Sequence, residues 1–177
     1  MGGLLIVVDY QADFVTGALG FPGAVALDGP IAARIAQRRE EGWDVAFTLD
    51  THSSGYLATV EGRWLPVPHC IRGTDGWALF GETGKSRLPG DTVFEKETFP
   101  SLELAQWLHA KDYERVELCG LVSNICVLSN AVMAKAALPD AEITVDARLT
   151  ASADSVLHEK ALDVLEGLHI AVTGRER

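Results

Sequence analysis

The chain has 177 residues, of which 47% are apolar and 23% are charged, and its formal net charge at pH 7 is −10. A chain of this length and composition usually forms one core, so we expect a single domain over residues 1–177 and exclude a disordered tail or a collagen-like rod. Nucleic-acid binding needs clustered lysines and arginines, which this acidic sequence lacks, so we expect no nucleic-acid partner.

The first half of the chain predicts two strands separated by a helix. The continuous apolar run Leu4 to Val8 is typical of a strand buried on both faces of a parallel sheet. A helix is predicted over residues 31–41, and Gly42 directly after it is expected to end it. A second strand is predicted over residues 44–49. The next forty residues or so, from Asp50 to Thr92, far exceed a usual loop of about 4 to 6 residues. Irregular segments of this length usually carry function.

The second half of the chain continues the alternation of strands and helices. Strands are predicted over residues 92–95, 115–119, 142–145 and 169–172, and helices over residues 101–110, 124–137 and 154–167. Ser101 and Asp154 stand where helix N-caps are expected. The alternation predicts an α/β fold with three α/β/α layers, Rossmann-like, around a six-stranded, mostly parallel sheet with right-handed crossovers.

The distribution of apolar residues and cysteines predicts a cytoplasmic protein with no membrane partner. The longest uncharged run, residues 118–134, contains several polar side chains and falls short of the roughly 20 apolar residues that a spanning helix needs. No basic region precedes Leu4, so we expect no secretory signal. The three cysteines, Cys70, Cys119 and Cys126, show no C-x-x-C spacing, which suits a reducing compartment.

Three residues with complementary chemistry follow the predicted strands. In open parallel sheets the ligand site lies beyond the carboxyl ends of the strands, so Asp9, Lys96 and Cys126 should converge. A thiol becomes a nucleophile beside a cation that lowers its pKa and a carboxylate that moves its proton. Taken singly, the three residues could instead be a helix cap, a surface lysine and a small core residue.

The segment Gly120-Leu121-Val122-Ser123-Asn124-Ile125-Cys126 is typical of a nucleophile elbow. Gly120 allows the strand to turn sharply, and Cys126 falls in the first turn of the following helix. There the helix dipole and the free backbone N–H groups stabilise both a thiolate and a developing oxyanion.

A second cluster lies inside the long loop and has the composition of a metal site. Asp50, His52 and His69 offer one carboxylate and two imidazoles, which suit Zn²⁺, Fe²⁺ or Mn²⁺ and leave open positions for water or substrate. Glu61 is a candidate fourth ligand. The alternative interpretation is a capped turn at Asp50 with two histidines and a glutamate that face solvent.

Four segments resemble motifs of the isochorismatase-like cysteine hydrolases and, within them, of the nicotinamidases. The segments are Asp9-Tyr10-Gln11-Ala12-Asp13-Phe14, then Pro68-His69-Cys70-Ile71-Arg72-Gly73-Thr74 with Gly76, then Phe94-Glu95-Lys96, and finally Gly120 to Cys126. They occur in the family's order over almost the whole chain. The resemblance is therefore specific for the family, and it is less specific for the substrate.

The resemblance implies a site and a reaction. It implies a catalytic triad of Asp9, Lys96 and Cys126, and a cis peptide bond between Val122 and Ser123. The N–H groups of Cys126 and Ser123 would hold the oxyanion. It further implies a divalent metal, zinc with iron or manganese as alternatives, held by Asp50, His52 and His69. A small-molecule amide substrate and a homodimer or homotetramer are implied as well.

Two positions depart from the nicotinamidase pattern. Pro66 stands three residues before the second metal histidine, where many nicotinamidases place a tryptophan against the pyridine ring, and Ser53 stands where proline is common. Phe14 and the nearby Trp64 are then the aromatic residues expected to contact substrate.

Three functions are compatible with the sequence. The first is hydrolysis of nicotinamide to nicotinate and ammonia. The second keeps the triad and changes the substrate to another small carboxamide, a ureide or an N-carbamoyl compound. The third is a non-catalytic, receiver-like α/β module that uses Asp9, Asp50 and Lys96.

Overall fold

The computed structural model describes residues 2–175 and contains one six-stranded parallel sheet. The strands are β1 (Gly3–Val8), β2 (Asp44–Asp50), β3 (Thr92–Lys96), β4 (Arg115–Leu121), β5 (Glu142–Ala151) and β6 (Ala171–Thr173). Their order is β3-β2-β1-β4-β5-β6, and every pair in this sheet is parallel. The predicted α/β fold is confirmed.

Eight helices connect the strands within residues 2–175. They are α1 (Ala12–Val15), α2 (Pro22–Val25), α3 (Asp28–Glu40), α4 (Val60–Trp64), α5 (Gly81–Lys85), α6 (Leu102–His109), α7 (Leu128–Ala137) and α8 (Ser155–Gly167). The predicted caps form, because Ser101 Oγ accepts from Leu104 N and Asp154 Oδ1 accepts from Val156 N and Leu157 N. In this part of the chain no helix has both the length and the apolar character to cross a bilayer.

Strand β1 is buried on both faces, as its apolar run predicts. Leu4, Ile6 and Val8 belong to one hydrophobic cluster, and the alternate residues Leu5 and Val7 belong to another. Alternate residues of a strand point to opposite faces of a sheet, so the two clusters are the two faces of the core. A central strand that is apolar throughout fixes the middle of the sheet.

Two strand boundaries differ from the prediction for identifiable reasons. Strand β5 continues to Ala151, well beyond Val145, because the charge of Asp146 is paired with both Arg34 and Arg148. An apolar run alone cannot indicate such an extension. The last strand begins at Ala171, not at His169, because His169 has a φ of 60° and its N–H donates to Glu166 O to close α8.

Helix α3 is fixed to the sheet by buried charges as well as by its apolar face. Ile31 and Ile35 are completely buried, whereas Arg34 and Arg38 both form ion pairs with Glu117 of β4. The Glu117 side chain is 2% exposed, and the two arginine side chains are 17% and 20% exposed. These charges are therefore held largely out of water.

Replacing Glu117 with alanine is expected to lower the free energy of unfolding by about 3 kcal/mol, because it leaves Arg34 and Arg38 without their shared buried partner. Urea unfolding of the two proteins measures the change. Glu41→Ala is the matched control, since it removes the exposed partner of Arg38 and should leave stability almost unchanged. Equal losses in both variants would contradict the structural role of Glu117.

Candidate active site

The site lies where the order of the strands reverses. Chain order runs outward from β1 through β2 to β3, and β4 then pairs with the other side of β1. In such sheets the crevice at the carboxyl ends of the strands takes the ligand. Asp9 follows β1, Lys96 ends β3 and Cys126 follows β4, so all three reach this edge. Asp50 ends β2 and pairs in register with Lys96.

The structure brings Asp9, Lys96 and Cys126 together as a buried group. Lys96 Nζ lies 2.6 Å from Asp9 Oδ2 and 3.7 Å from Cys126 Sγ. The exposed fractions are 0% for Asp9, 4% for Lys96 and 5% for Cys126. A lysine this buried beside a carboxylate is not a surface charge. The ammonium group lies where it can stabilise negative charge on the sulfur or on the carboxylate.

Two polar side chains fix the acidic residues at the ends of β1 and β2. Thr48 Oγ1 donates to Asp9 Oδ1 at 2.6 Å and accepts from Asp9 N at 3.2 Å. Gln11 Nε2 donates to Asp50 O and to Trp77 O, while Gln11 Oε1 accepts from Asp50 N. Both Thr48 and Gln11 are completely buried. The carboxylate of Asp9 is therefore held in one orientation toward Lys96.

Gly120 provides the close approach between β1 and β4 just before the nucleophile. Its φ is 109°, and a Cβ there would lie 2.0 Å from the Val8 carbonyl oxygen. Only glycine fits this position. A wide helical turn, Ser123–Val127, then leads into α7 and carries Cys126. Gly120 itself lies within β4, so the chain turns after Leu121 and not at Gly120. The helix predicted over residues 124–137 begins at Leu128, and Cys126 lies in the wide turn that precedes it.

The prediction of a cis peptide bond between Val122 and Ser123 is wrong by one residue. The cis bond joins Leu121 and Val122. The reason is that the helical turn already begins at Val122, whose carbonyl oxygen accepts from Ile125 N and Val127 N. The change of chain direction therefore comes before Val122, directly at the end of β4.

Asn130 anchors the turn to the segment that follows Lys96. Its Nδ2 donates to Cys126 O at 2.8 Å and to Phe99 O at 3.0 Å, and its Oδ1 accepts from Ser101 N at 2.9 Å. Asn130 is completely buried. The nucleophile turn and the chain after β3 therefore share one fully hydrogen-bonded amide, which keeps Cys126 near Lys96.

Burial controls the proton equilibria of this group. Burial raises the pKa of Cys126 well above its ordinary value; Lys96 opposes the shift, and the carboxylates of Asp9 and Asp50 add to it. Burial also raises the pKa of Asp9 against the effect of Lys96. For Lys96, burial favours the neutral amine, but the neighbouring acids outweigh it and raise the pKa. The resting site therefore contains an ammonium group and a protonated thiol.

The four predicted metal ligands form a second cluster. Asp50 Oδ2 lies 3.0 Å from His52 Nε2 and 3.3 Å from His69 Nε2. Glu61 Oε1 lies 3.7 Å from both nitrogens, and all four ligand atoms lie within 4.8 Å of one another. Bonds of about 2.0 to 2.1 Å in a tetrahedral zinc site separate the ligand atoms by about 3.3 Å. The cluster therefore fits a divalent metal ion.

The backbone holds the two histidines in position for ligation. His52 N donates to Cys70 O at 3.0 Å, and Arg72 N donates to His52 O at 2.9 Å, so the segment after His69 pairs with the end of β2. His69 Nδ1 lies 2.8 Å from Val67 O, which leaves Nε2 as the ligand atom. His52 and His69 are 6% and 2% exposed. The alternative interpretation of two solvent-facing histidines is wrong.

A cavity of about 280 Å³ connects the two clusters. It is lined by Cys126, by Glu61 and His69 of the metal cluster, and by Phe14. Trp64 instead lines a neighbouring cavity of about 580 Å³ with His52 and Glu61, and it is 87% exposed. The structure thus brings Phe14 to the nucleophile, as expected for a substrate contact, and does not bring Trp64 there.

Thr48, Gln11 and Asn130 support the site and were not predicted from the sequence. Each is a polar residue within or beside an apolar element, and each is completely buried with its hydrogen bonds satisfied. A lone polar residue in a strand that is otherwise buried on both faces is the signal that could have identified Thr48.

The chain matches the family model described as the isochorismatase domain over residues 3–177. No curated protein matches the sequence significantly.

Several solved structures are similar to this chain over nearly its whole length. A nicotinamidase/pyrazinamidase from Bacillus subtilis is 29% identical with a TM-score of 0.85, covering 97% of this chain and 99% of its own. A pyrazinamidase from Pyrococcus horikoshii in complex with zinc is 25% identical with a TM-score of 0.84, covering 98% and 99%. An N-carbamoylsarcosine amidase from Thermoplasma acidophilum is 27% identical with a TM-score of 0.79, covering 97% and 95%.

Proposed function

The chain belongs to the isochorismatase family, and from this premise we propose that it is a nicotinamidase that hydrolyses nicotinamide to nicotinate and ammonia through a thioester on Cys126. One observation carries the proposal. The Lys96 ammonium group lies close to both Asp9 and Cys126, and the cavity lined by Cys126 is also lined by residues of the metal cluster. The similarity to a nicotinamidase/pyrazinamidase at 29% identity supports the choice of substrate.

The first half of the reaction forms the thioester. Because burial keeps the thiol protonated, attack on the carboxamide carbon must accompany transfer of the thiol proton to Asp9. The new S–C bond converts the carbonyl oxygen into an oxyanion. Asp9 then gives its proton to the nitrogen, the C–N bond breaks, and ammonia leaves. Lys96 stabilises negative charge on the Cys126 sulfur or on the Asp9 carboxylate, whichever is ionised.

We propose that N–H groups of the nucleophile turn hold the oxyanion. The N–H of Cys126 was expected in this role together with that of Ser123. Val122 and Cys126 both line the cavity, whereas Ser123 is completely buried. We therefore assign the second donor to the N–H of Val122. One such donor is typically worth about 3 to 4 kcal/mol of transition-state stabilisation.

The second half of the reaction hydrolyses the thioester. Asp9, again a carboxylate, takes a proton from water as the water oxygen attacks the thioester carbon. The C–S bond breaks, Asp9 returns the proton to the sulfur, and nicotinic acid leaves. One water is consumed, and the released acid gives its proton to ammonia in solution, so the final products are one nicotinate and one ammonium ion. The same carboxylate thus serves as base and acid in both halves.

Asp50, His52 and His69 would hold the divalent metal and leave a position open for substrate, and Glu61 lies close enough to be a further ligand. When bound, the metal supplies a coordination point for the ring nitrogen, which is a positioning role more than an electrophilic one. Zinc is the ion we favour, because the similar pyrazinamidase from Pyrococcus horikoshii was solved in complex with zinc. Two imidazoles with carboxylates also suit Fe²⁺ and Mn²⁺.

A second candidate keeps the triad and takes a small N-carbamoyl compound or another non-aromatic amide. Pro66 stands where a ring-stacking tryptophan is common in nicotinamidases, and Trp64 is exposed beside the neighbouring cavity. The similarity to an N-carbamoylsarcosine amidase favours the same alternative. A coupled ammonia assay over nicotinamide, pyrazinamide, N-carbamoyl amino acids and aliphatic amides distinguishes the two. We expect the highest kcat/KM with nicotinamide, and preference for the carbamoyl compounds would replace this proposal with the second candidate.

Removal of the metal is expected to reduce nicotinamide hydrolysis by about tenfold or more, because the ring nitrogen loses its anchor. Chelation followed by readdition of Zn²⁺ should restore the rate, with metal content measured on the same samples. His52→Ala should lower both metal content and rate, whereas His109→Ala, at an exposed histidine of α6, should change neither. A metal-free protein that keeps its full rate would contradict the anchoring role.

A further inference from the structure

We propose that His158 is a positioning residue of the active site: its imidazole holds Ser123 and thereby the turn that carries Cys126. His158 lies on α8, far along the chain from the three residues of the triad, and nothing in its local sequence marks it as functional. This inference rests on the proposed function, because it concerns how the same nucleophile is held for attack.

The contact itself is short and shielded. His158 Nδ1 lies 2.8 Å from Ser123 Oγ. Ser123 is completely buried, and the His158 side chain is 18% exposed. A buried hydroxyl that loses its partner cannot recover the hydrogen bond from bulk water. Ser123 therefore depends on His158 for its position.

Ser123 occupies a critical place in the turn. It directly follows Val122, which we assign as an oxyanion donor, and its carbonyl oxygen accepts from Leu128 N at the start of α7. Asn130 already fixes the Cys126 carbonyl from the side of β3. His158 fixes the opposite end of the same turn from α8, which packs against it. The nucleophile is thus held between two side chains that do not themselves react.

The surroundings of His158 favour a neutral imidazole. Burial lowers its pKa from the usual value, Arg175 lowers it further, and Glu159 opposes the shift. Glu159 Oε1 is 4.0 Å from His158 Nε2, and Arg175 is itself paired with Glu159, Asp163 and Glu166. A neutral ring shares one hydrogen bond with the hydroxyl through Nδ1 in either tautomer.

Two substitutions with amide side chains test whether the hydrogen bond from His158 to Ser123 matters, and not only the volume that the side chain fills. The side-chain amide of asparagine begins at the same distance from the backbone as Nδ1, so His158→Asn can keep the bond to Ser123. The amide of glutamine lies one bond farther out, at the level of Nε2. We expect His158→Ala and His158→Gln to lower kcat by about tenfold or more with KM within about twofold, because small misplacements of reacting groups are costly. His158→Asn should stay within about threefold of the wild-type kcat.

Amide hydrogen exchange supplies a readout that needs no substrate. In His158→Ala and in Ser123→Ala, the N–H groups of residues 123–127 should exchange about tenfold faster than in the wild-type protein, and in His158→Asn they should not. The double variant should exchange no faster than either single variant, because both remove the same contact. Lys160→Ala, at an exposed position of α8, is the control. A thermal unfolding curve for each variant identifies any that fails to fold.

The outcomes distinguish this inference from the proposed function. Faster exchange in the turn together with a lower kcat on whichever amide of the panel is hydrolysed supports the positioning role, even if that amide is not nicotinamide. Unchanged exchange in folded His158→Ala overturns the inference. Faster exchange with an unchanged kcat also overturns it, because the contact would then hold the turn without serving the reaction.

Discussion

Replacing Cys126 with alanine is expected to reduce nicotinamide hydrolysis by about 10⁴-fold or more, because Cys126 is the only thiol among the described residues that line the cavity. Cys126 packs into the core beside Lys96, so the alanine variant should remain folded. Steady-state release of ammonia measures the rate, and thermal unfolding confirms the fold.

Cys119→Ala is the matched control for this variant. Cys119 is a second completely buried thiol; burial raises its pKa, and it lies within β4 next to Ile6 O. Its removal should cost some stability and leave kcat within about threefold of the wild-type value. A Cys126→Ala protein that still releases ammonia at a tenth of the wild-type rate would contradict the role of this thiol.

Replacing Asp9 with asparagine is expected to lower kcat by about 10³-fold or more. The amide has nearly the shape of the carboxylate, and its oxygen can still accept from Thr48, but it cannot take the thiol proton. Because burial raises the pKa of Cys126, the thiol does not ionise by itself near neutral pH. The variant therefore loses the base on which the nucleophile depends.

A test at alkaline pH sharpens this prediction. Hydroxide can partly replace a missing base, so the deficit of Asp9→Asn should become smaller as the pH rises. Asp44→Asn is the control, since this exposed carboxylate accepts from Tyr113 Oη at the start of β2, the end of the strand away from the site. An Asp9→Asn protein with a rate near that of the wild type would show that another group removes the proton.

Much of the fold could be predicted because its signals are local. The apolar run of β1 and the caps at Ser101 and Asp154 each depend on a few neighbouring residues. The full length of β5 could not be predicted in this way, because its polar residues are stabilised by Arg34, which is distant in sequence. Long-range ion pairs leave no periodic pattern in the chain.

The site residues likewise fall into those that the sequence predicts and those that depend on contacts between distant parts of the chain. Asp9, Lys96 and Cys126 could be placed at one edge because the ends of parallel strands meet there. The position of the cis bond, one residue before the expected one, depends on where the helical turn begins. Thr48, Asn130 and His158 act through contacts between distant elements, and only the folded chain makes those contacts visible.

The sequence also could not predict how the metal ligands meet or which aromatic residue lines the substrate cavity. The types of the ligand residues indicated a metal site, but only the pairing of His52 with the segment after His69 brings the ligands together. The sequence could not show which of Phe14 and Trp64 lies beside Cys126. The structure lines the Cys126 cavity with Phe14 and leaves Trp64 beside the neighbouring cavity.

Product analysis with nicotinamide and the zinc-loaded protein tests the proposed reaction directly. We expect nicotinate and ammonia to appear in equal amounts, at a rate that disappears in Cys126→Ala and persists in Cys119→Ala. No nicotinate from nicotinamide under conditions in which the same preparation hydrolyses an N-carbamoyl compound would contradict the proposed function.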